Sequence, residues 1–204
     1  MKEKIKLLLD VLVGSTWEVA DGGTGGLYFG FNDQPRYNGL SELQHEDEED
    51  ELNRTLYKFQ YLIDTEGIWH VSKNETILLA SGDFYIPSID WYRSKRAEEQ
   101  EFDYTVLGKS QFDLKCQYLV SKLETDRPVV EKIDSDDFGG LKIFLSKGYT
   151  ITFFPNISSD DLLTSSNERT KDFHKLWQFR INNKEDLSHQ STFYVTTKGI
   201  KKKY

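Results

Sequence analysis

Ile5, Leu8, Leu9 and Leu12 recur at the i, i+3, i+4, i+7 spacing of an amphipathic helix, and Gly14 supplies a stop just beyond them. Thr16 to Ala20 then reads as a short strand. The glycines Gly22, Gly23, Gly25 and Gly26 follow as a turn, and Leu27-Tyr28-Phe29-Gly30-Phe31 reads as an aromatic strand. The chain therefore starts helix, strand, turn, strand.

From Phe112 onward the pattern fits two periods. Phe112, Leu114, Cys116, Tyr118 and Val120 alternate, while Cys116, Leu119, Val120 and Leu123 share one helical face. Comparison with the N-terminus favours a helix over 112–123. Cys116, Leu119 and Leu123 repeat the spacing of Ile5, Leu8 and Leu12, a strand at Val129 to Ile133 follows, and Gly139-Gly140-Leu141-Lys142-Ile143-Phe144-Leu145 echoes residues 25–31. Further on, Leu56 to Tyr61 resembles Leu176 to Ile181, and Trp69 to Ser72 resembles Phe193 to Thr196. The expected fold class is α+β: two similar halves, each one helix plus a mainly antiparallel sheet, related by internal duplication. Residues 1–85 form the N-terminal half, 86–110 a connector marked by Pro87 and a charged stretch, and 111–204 the C-terminal half. Two further irregular stretches, 34–53 and 156–170, occupy the same place in the aligned halves, and stretches of that length commonly carry contacts with partners.

With 204 residues, 14% of them aromatic, the chain can bury a core despite a mean hydropathy of -0.61. The net charge of -8 repels phosphate backbones, so nucleic acid is not an expected ligand. The charge is uneven: residues 1–102 hold twenty acids and ten bases, and 103–204 hold fourteen and sixteen. Glu46, Asp47, Glu48, Glu49, Asp50 and Glu51 supply more than half of the first excess, and like-charge repulsion should keep that run solvated. They are the candidate partner-binding residues, able to steer a basic protein electrostatically. Lys198, Lys201, Lys202 and Lys203 make a small basic tail that could pair with the same run in cis. The single cysteine, Cys116, forms no internal disulfide and falls on the buried helix face, in keeping with a cytoplasmic chain. Asp10 interrupts the N-terminal apolar run, against a secretion signal, and no stretch of about eighteen apolar residues suits a membrane span.

The chemical motifs fail on inspection. Leu107-Gly108-Lys109-Ser110 ends like a phosphate-binding loop, but Asp103 stands where the first glycine belongs. The glycines at 22–26 precede a strand, whereas a dinucleotide fingerprint opens a helix. Asp134, Asp136 and Asp137 approach a calcium-loop spacing, but Phe138 takes the next ligand position and no glutamate closes the loop, so they read as turn residues. His45-Glu46 lacks the second histidine of a zinc-protease helix, and His70, His174 and His189 are dispersed. No metal, cofactor or catalytic set is expected. Trp17, Trp69 and Trp177 lie in expected strands and read as core, while Trp91 in the connector is the candidate for exposure.

The segments Gly139-Gly140-Leu141-x-Ile143, Phe153-Phe154-Pro155-Asn156, Leu176-Trp177-x-Phe179 and Phe193-x-Val195-x-x-x-Gly199 resemble bacterial immunity-type proteins of polymorphic toxin systems over roughly 112–200. The resemblance implies a scaffold, not a catalytic site, and a role in binding and neutralising a protein, often a basic toxin domain. The expected function is that of a non-enzymatic cytoplasmic protein-binding module. The alternative is a small-molecule binder or enzyme using a cleft between the halves, where Trp69, His70 and Trp177 would meet.

Overall fold

The computed structural model describes residues 1–21, 27–33, 59–65, 67–94, 101–155, 175–182, 191–196 and 199–203. Period-two burial drives its strands. In β7 (Leu141–Leu145) and β8 (Tyr149–Phe154), Leu141, Ile143, Leu145, Tyr149, Ile151 and Phe153 are buried, while the residues between them face outward. The other strands are β1 (Trp17–Asp21), β2 (Leu27–Asp33), β3 (Phe59–Thr65), β4 (Ile68–Lys73), β5 (Thr76–Ala80), β6 (Val130–Ser135), β9 (Lys175–Ile181), β10 (Ser191–Thr196) and β11 (Gly199–Lys203). The helices are α1 (Lys2–Leu9), the short α2 (Ile89–Arg93) and α3 (Gln111–Asp126). The chain is α+β with two antiparallel sheets, as the pattern predicts.

One sheet has six strands in the order β1-β2-β3-β9-β10-β11, the other five in the order β5-β4-β8-β7-β6. Each sheet takes strands from both sides of the 86–110 connector. β3 pairs with β9 through Tyr61↔Ile181 and Ile63↔Phe179, and β4 pairs with β8 through Val71↔Ile151. The polypeptide passes from the first sheet to the second between Thr65 and Ile68. Buried Thr65 fixes the passage: its Oγ1 donates to the Leu176 carbonyl at 2.9 Å and accepts from Gly67 N at 2.9 Å.

The inner faces meet through aromatic rings. Phe29 of β2 stands edge-on to Trp69 of β4 at 5.3 Å and to Phe153 of β8 at 4.9 Å. The stack continues from Trp69 to Phe112 of α3 at 6.2 Å, and Phe112 stacks on Phe84. Helix α3 buries Phe112, Cys116, Leu119 and Leu123 and lies along β5 and β1, while α1 buries Ile5 and Leu9 and lies along β6. One continuous cluster of buried residues runs from Ile5 to Val195. On the other side of β3, Phe59 and Leu62 form a satellite cluster with Tyr28.

The sequence echo that equates 56–61 with 176–181 meets a different arrangement. The described parts of those segments are hydrogen-bonded neighbours, in β3 and β9, at the middle of one sheet. By strand order, β1-β2-β3 is followed in its sheet by the three strands β9-β10-β11, and β6-β7-β8 in the other sheet by the two strands β4 and β5. The glycine turn at 22–26 and the stretches 34–53 and 156–170 lie outside the described residues.

Gly139 is one of the positions where the backbone tolerates no side chain. Its φ is +95°, an added Cβ would collide with the Leu176 side chain, and its carbonyl accepts from Trp177 Nε1 at 2.8 Å. Gly82 meets nothing within 4 Å. Gly139→Ala should lower unfolding free energy by about 2–3 kcal/mol in urea melts, while Gly82→Ala should stay within about 0.5 kcal/mol of the parent. Equal effects from the two would contradict this placement.

Candidate functional site

Two features of the described surface are candidates: a cleft beside the end of α3, and the connector itself. The cleft, about 300 Å³, is lined by residues that include Lys73, Tyr118, Lys122, Asp126 and Tyr149. Lys73 closes β4, Asp126 ends α3 and Tyr149 opens β8, so three elements converge there. Lys73 Nζ donates to Asp126 Oδ2 at 2.7 Å and to the Tyr149 hydroxyl at 3.3 Å, and that hydroxyl donates to the same carboxylate oxygen at 2.8 Å. Lys73 also lies 4.4 Å from the centre of the Tyr149 ring, and Lys122 lies 5.4 Å from that of Tyr118.

The electrostatics make this cleft a clamp. Hydrogen bonds from Lys73 and then Tyr149 hold Asp126 below the usual carboxylate range. The same bond to Asp126, with a lesser one to Tyr149, raises Lys73 above the usual lysine value. Burial, reinforced by the bond to Asp126, raises the Tyr149 phenol. At neutral pH the lysine stays protonated, the carboxylate ionised and the phenol neutral. The set therefore holds no free base and no activated nucleophile. Each charge is answered from within, and the work done is to fasten the end of α3 to the five-stranded sheet.

The connector is built differently. Its base is closed by an antiparallel bridge between Pro87 and Ser110, with Ser88 N donating to Lys109 O at 2.7 Å and Gln111 N to Ile86 O at 2.7 Å. Ser88 caps α2 by accepting from Trp91 N at 3.1 Å. Ser110 caps α3 in a capping box: its Oγ accepts from Asp113 N at 3.3 Å, and the Asp113 carboxylate accepts from the backbone of both Ser110 and Gly108. The segment that ends like a phosphate loop is thus a helix cap, with a carboxylate already on its amides. Below it, Lys115 Nζ reaches the buried Asp83 carboxylate at 2.6 Å, joining α3 to the turn that precedes the connector.

Ring contacts join the two arms of this excursion. Tyr85 meets Tyr104 at 5.0 Å, and Trp91 meets Phe102 at 5.4 Å. Many of its outward residues are apolar. Tyr85, Ile86, Ile89, Tyr92, Tyr104, Val106 and Leu107 are all exposed, with Leu107 at 81%, Tyr85 at 66% and Tyr92 at 60%. Trp91, the residue expected to be exposed, is half-buried between Tyr92 and Phe102, so exposure falls on its neighbour.

Glu46, Asp47, Glu48, Glu49, Asp50 and Glu51 lie outside the described residues, as do His45, His174 and His189. Trp69 and Trp177 are core residues, not walls of a cleft. His70 is half-buried on β4 beside the Phe154 ring, and burial followed by repulsion from Lys142 lowers its pKa. Asp136 Oδ1 accepts from Phe138 N and Gly140 N, both at 2.8 Å, Asp137 accepts from Lys2 N at 3.1 Å, and Asp134 pairs with Lys132 at 2.6 Å. The calcium-like trio therefore serves as turn, cap and ion-pair residues. Among the described residues no group of three His, Cys, Asp or Glu is placed to hold a metal ion, and no helix is long and apolar enough to cross a membrane. Sequence reasoning missed both the Lys73–Asp126–Tyr149 set and the apolar character of the connector.

Comparison with protein families, with curated proteins and with solved structures finds no match to this chain.

The depressed Asp126 pKa stabilises the fold above the ordinary carboxylate range, and that contribution is lost as pH falls through the depressed value. The raised Lys73 pKa acts at the other end, losing its contribution only in strong alkali. The gap in urea midpoint between the parent and Asp126→Asn should be full at neutral pH and close as the medium is acidified below the usual carboxylate range. A gap that is the same in acid and at neutrality would mean that the charge is not what fastens α3.

Proposed function

We propose that this chain is a non-enzymatic protein-binding module that engages its partner through the 85–107 excursion. One observation carries the reading: seven large apolar side chains stand exposed on a segment whose base is hydrogen-bonded and whose arms are joined by aromatic contacts. Exposed apolar groups cost free energy in water unless a partner covers them, and concentrations of them mark interaction sites. Tyrosine suits the role, with a broad ring, a polar tip and little rotamer freedom to lose. Pinning at Pro87 and Ser110 lowers the entropy cost of ordering the excursion on binding.

The partner we propose is a protein and, within an immunity-type role in the cytoplasm, a basic toxin domain. The six acids from Glu46 to Glu51 would act at longer range, speeding encounter, while the excursion supplies the contacts that slow release. The cleft-enzyme alternative draws no support from Trp69 and Trp177, which are occupied with core packing.

The test is binding to the protein encoded beside this chain, followed by surface plasmon resonance at low and high salt. Tyr92→Ser with Leu107→Ser should weaken affinity at least about tenfold, mainly through faster dissociation, because both are among the most exposed apolar side chains of the excursion. Replacing all six acids from Glu46 to Glu51 by Gln should slow association at low salt and matter little at high salt. Unchanged kinetics in both variants would overturn the reading.

A further inference from the structure

We infer that a second copy of this chain covers the exposed apolar side chains of the excursion when no other partner is present. The inference rests on the protein-binding reading above and names the occupant.

Three observations point to it. The first is area. Exposures of 40–81% on seven residues of this size leave on the order of 700 Å² of largely apolar side-chain surface, against about 800 Å² per partner in a standard interface. A self-complementary contact through this face alone is large enough for a specific dimer.

The second is charge. Two copies at -8 each repel over most of their surface, so a dimer forms most easily where the local charge is close to balanced. The described part of the excursion carries Asp90, Glu101 and Asp103 against Arg93, with Lys109 just beyond it at the base. Its first arm ends in the basic Arg93, and its second begins with the acidic Glu101 and Asp103. In a twofold contact that lays the first arm of one copy on the second arm of the other, each copy's Arg93 faces the other copy's acids, so that the pairing occurs twice in the dimer.

The third is rigidity. The base bridge, the Ser88 and Ser110 caps and the Tyr85–Tyr104 and Trp91–Phe102 ring contacts hold the arms before any partner arrives. Little order has to be gained on pairing, which favours association through a face of standard size.

Sedimentation equilibrium of the full chain over about 1–100 μM tests the proposal. The parent should move from 23.8 kDa toward twice that mass, with a midpoint below about 10 μM. Leu107→Ser alone should shift the midpoint upward about tenfold, and Tyr92→Ser with Leu107→Ser should stay monomeric, both with unchanged circular dichroism. Arg93→Glu, on a side chain outside the core, should also weaken the dimer, and supplies a readout that does not remove apolar surface. A parent that remains at 23.8 kDa throughout, or a dimer indifferent to all three variants, overturns the inference. If the parent is monomeric yet the double variant still loses the neighbour-encoded protein, the second copy fails and the protein-binding reading stands. If the parent dimerises through this face but the neighbour-encoded protein binds the double variant as tightly as the parent, the second copy stands and that choice of partner fails.

Discussion

The pairing of β3 with β9 and of β4 with β8 is the constraint on which the rest of the molecule depends. Each pairing joins a strand from before the connector to one from after it, so neither sheet can be completed by one half of the chain. The aromatic contacts of Phe29 with Trp69 and Phe153 exist because both sheets are complete. Such long-range pairing has to overcome loop-closure entropy before it is rewarded, and the buried layer between the sheets helps to offset that cost. The connector is held at both ends by what this pairing builds. Ile86 follows the turn after β5, Gln111 opens α3, and the two are hydrogen-bonded to each other across the base of the excursion.

This arrangement separates structural from functional roles. Polar residues that look catalytic from their chemistry are spent on fastening. Lys73, Asp126 and Tyr149 tie three elements at one end of α3, Asp83 and Lys115 tie the other, and Asp113 caps its first turn. Large apolar side chains are left exposed on the connector at Tyr92, Tyr104 and Leu107 and just before it at Tyr85, while Leu7 and Phe138 are exposed elsewhere. A helix fixed at both ends presents the excursion at its N-terminus in one orientation, and that orientation is what a partner would read.

Much of the fold was legible in the sequence, for definable reasons. Helix α3 was ambiguous between two periods, and burial explains why the helical reading holds: Phe112, Cys116, Leu119 and Leu123 are buried on one face, while Leu114 and Tyr118, which alternation would have placed beside Cys116, are exposed. β5 was missed because Thr76–Ala80 buries only Leu79 and leaves Ile77 exposed, so its pattern is faint. The likeness between the segments ending at Tyr61 and Ile181 was visible but pointed to equivalence, when the strands are neighbours. Two central strands of one sheet share an environment and therefore a composition. The Lys73–Asp126–Tyr149 set could not be read, since its members lie 53, 76 and 23 residues apart and meet only in space. The connector was recognised by Pro87 and its charges. Its apolar face was hidden because Tyr85, Tyr92, Tyr104 and Leu107 follow no single period, and only the closed base gathers them.

Native-state hydrogen exchange on the intact chain tests the interleaved core most directly. The account predicts that the amides of β3, β9, β4 and β8 open together, with the same free energy and the same denaturant dependence, because both pairings join the two halves of the chain and both sheets contribute to one buried cluster. Amides of β3 and β4 that exchange as one unit while β8 and β9 stay protected as another would mean that the two halves stand independently, and would contradict it.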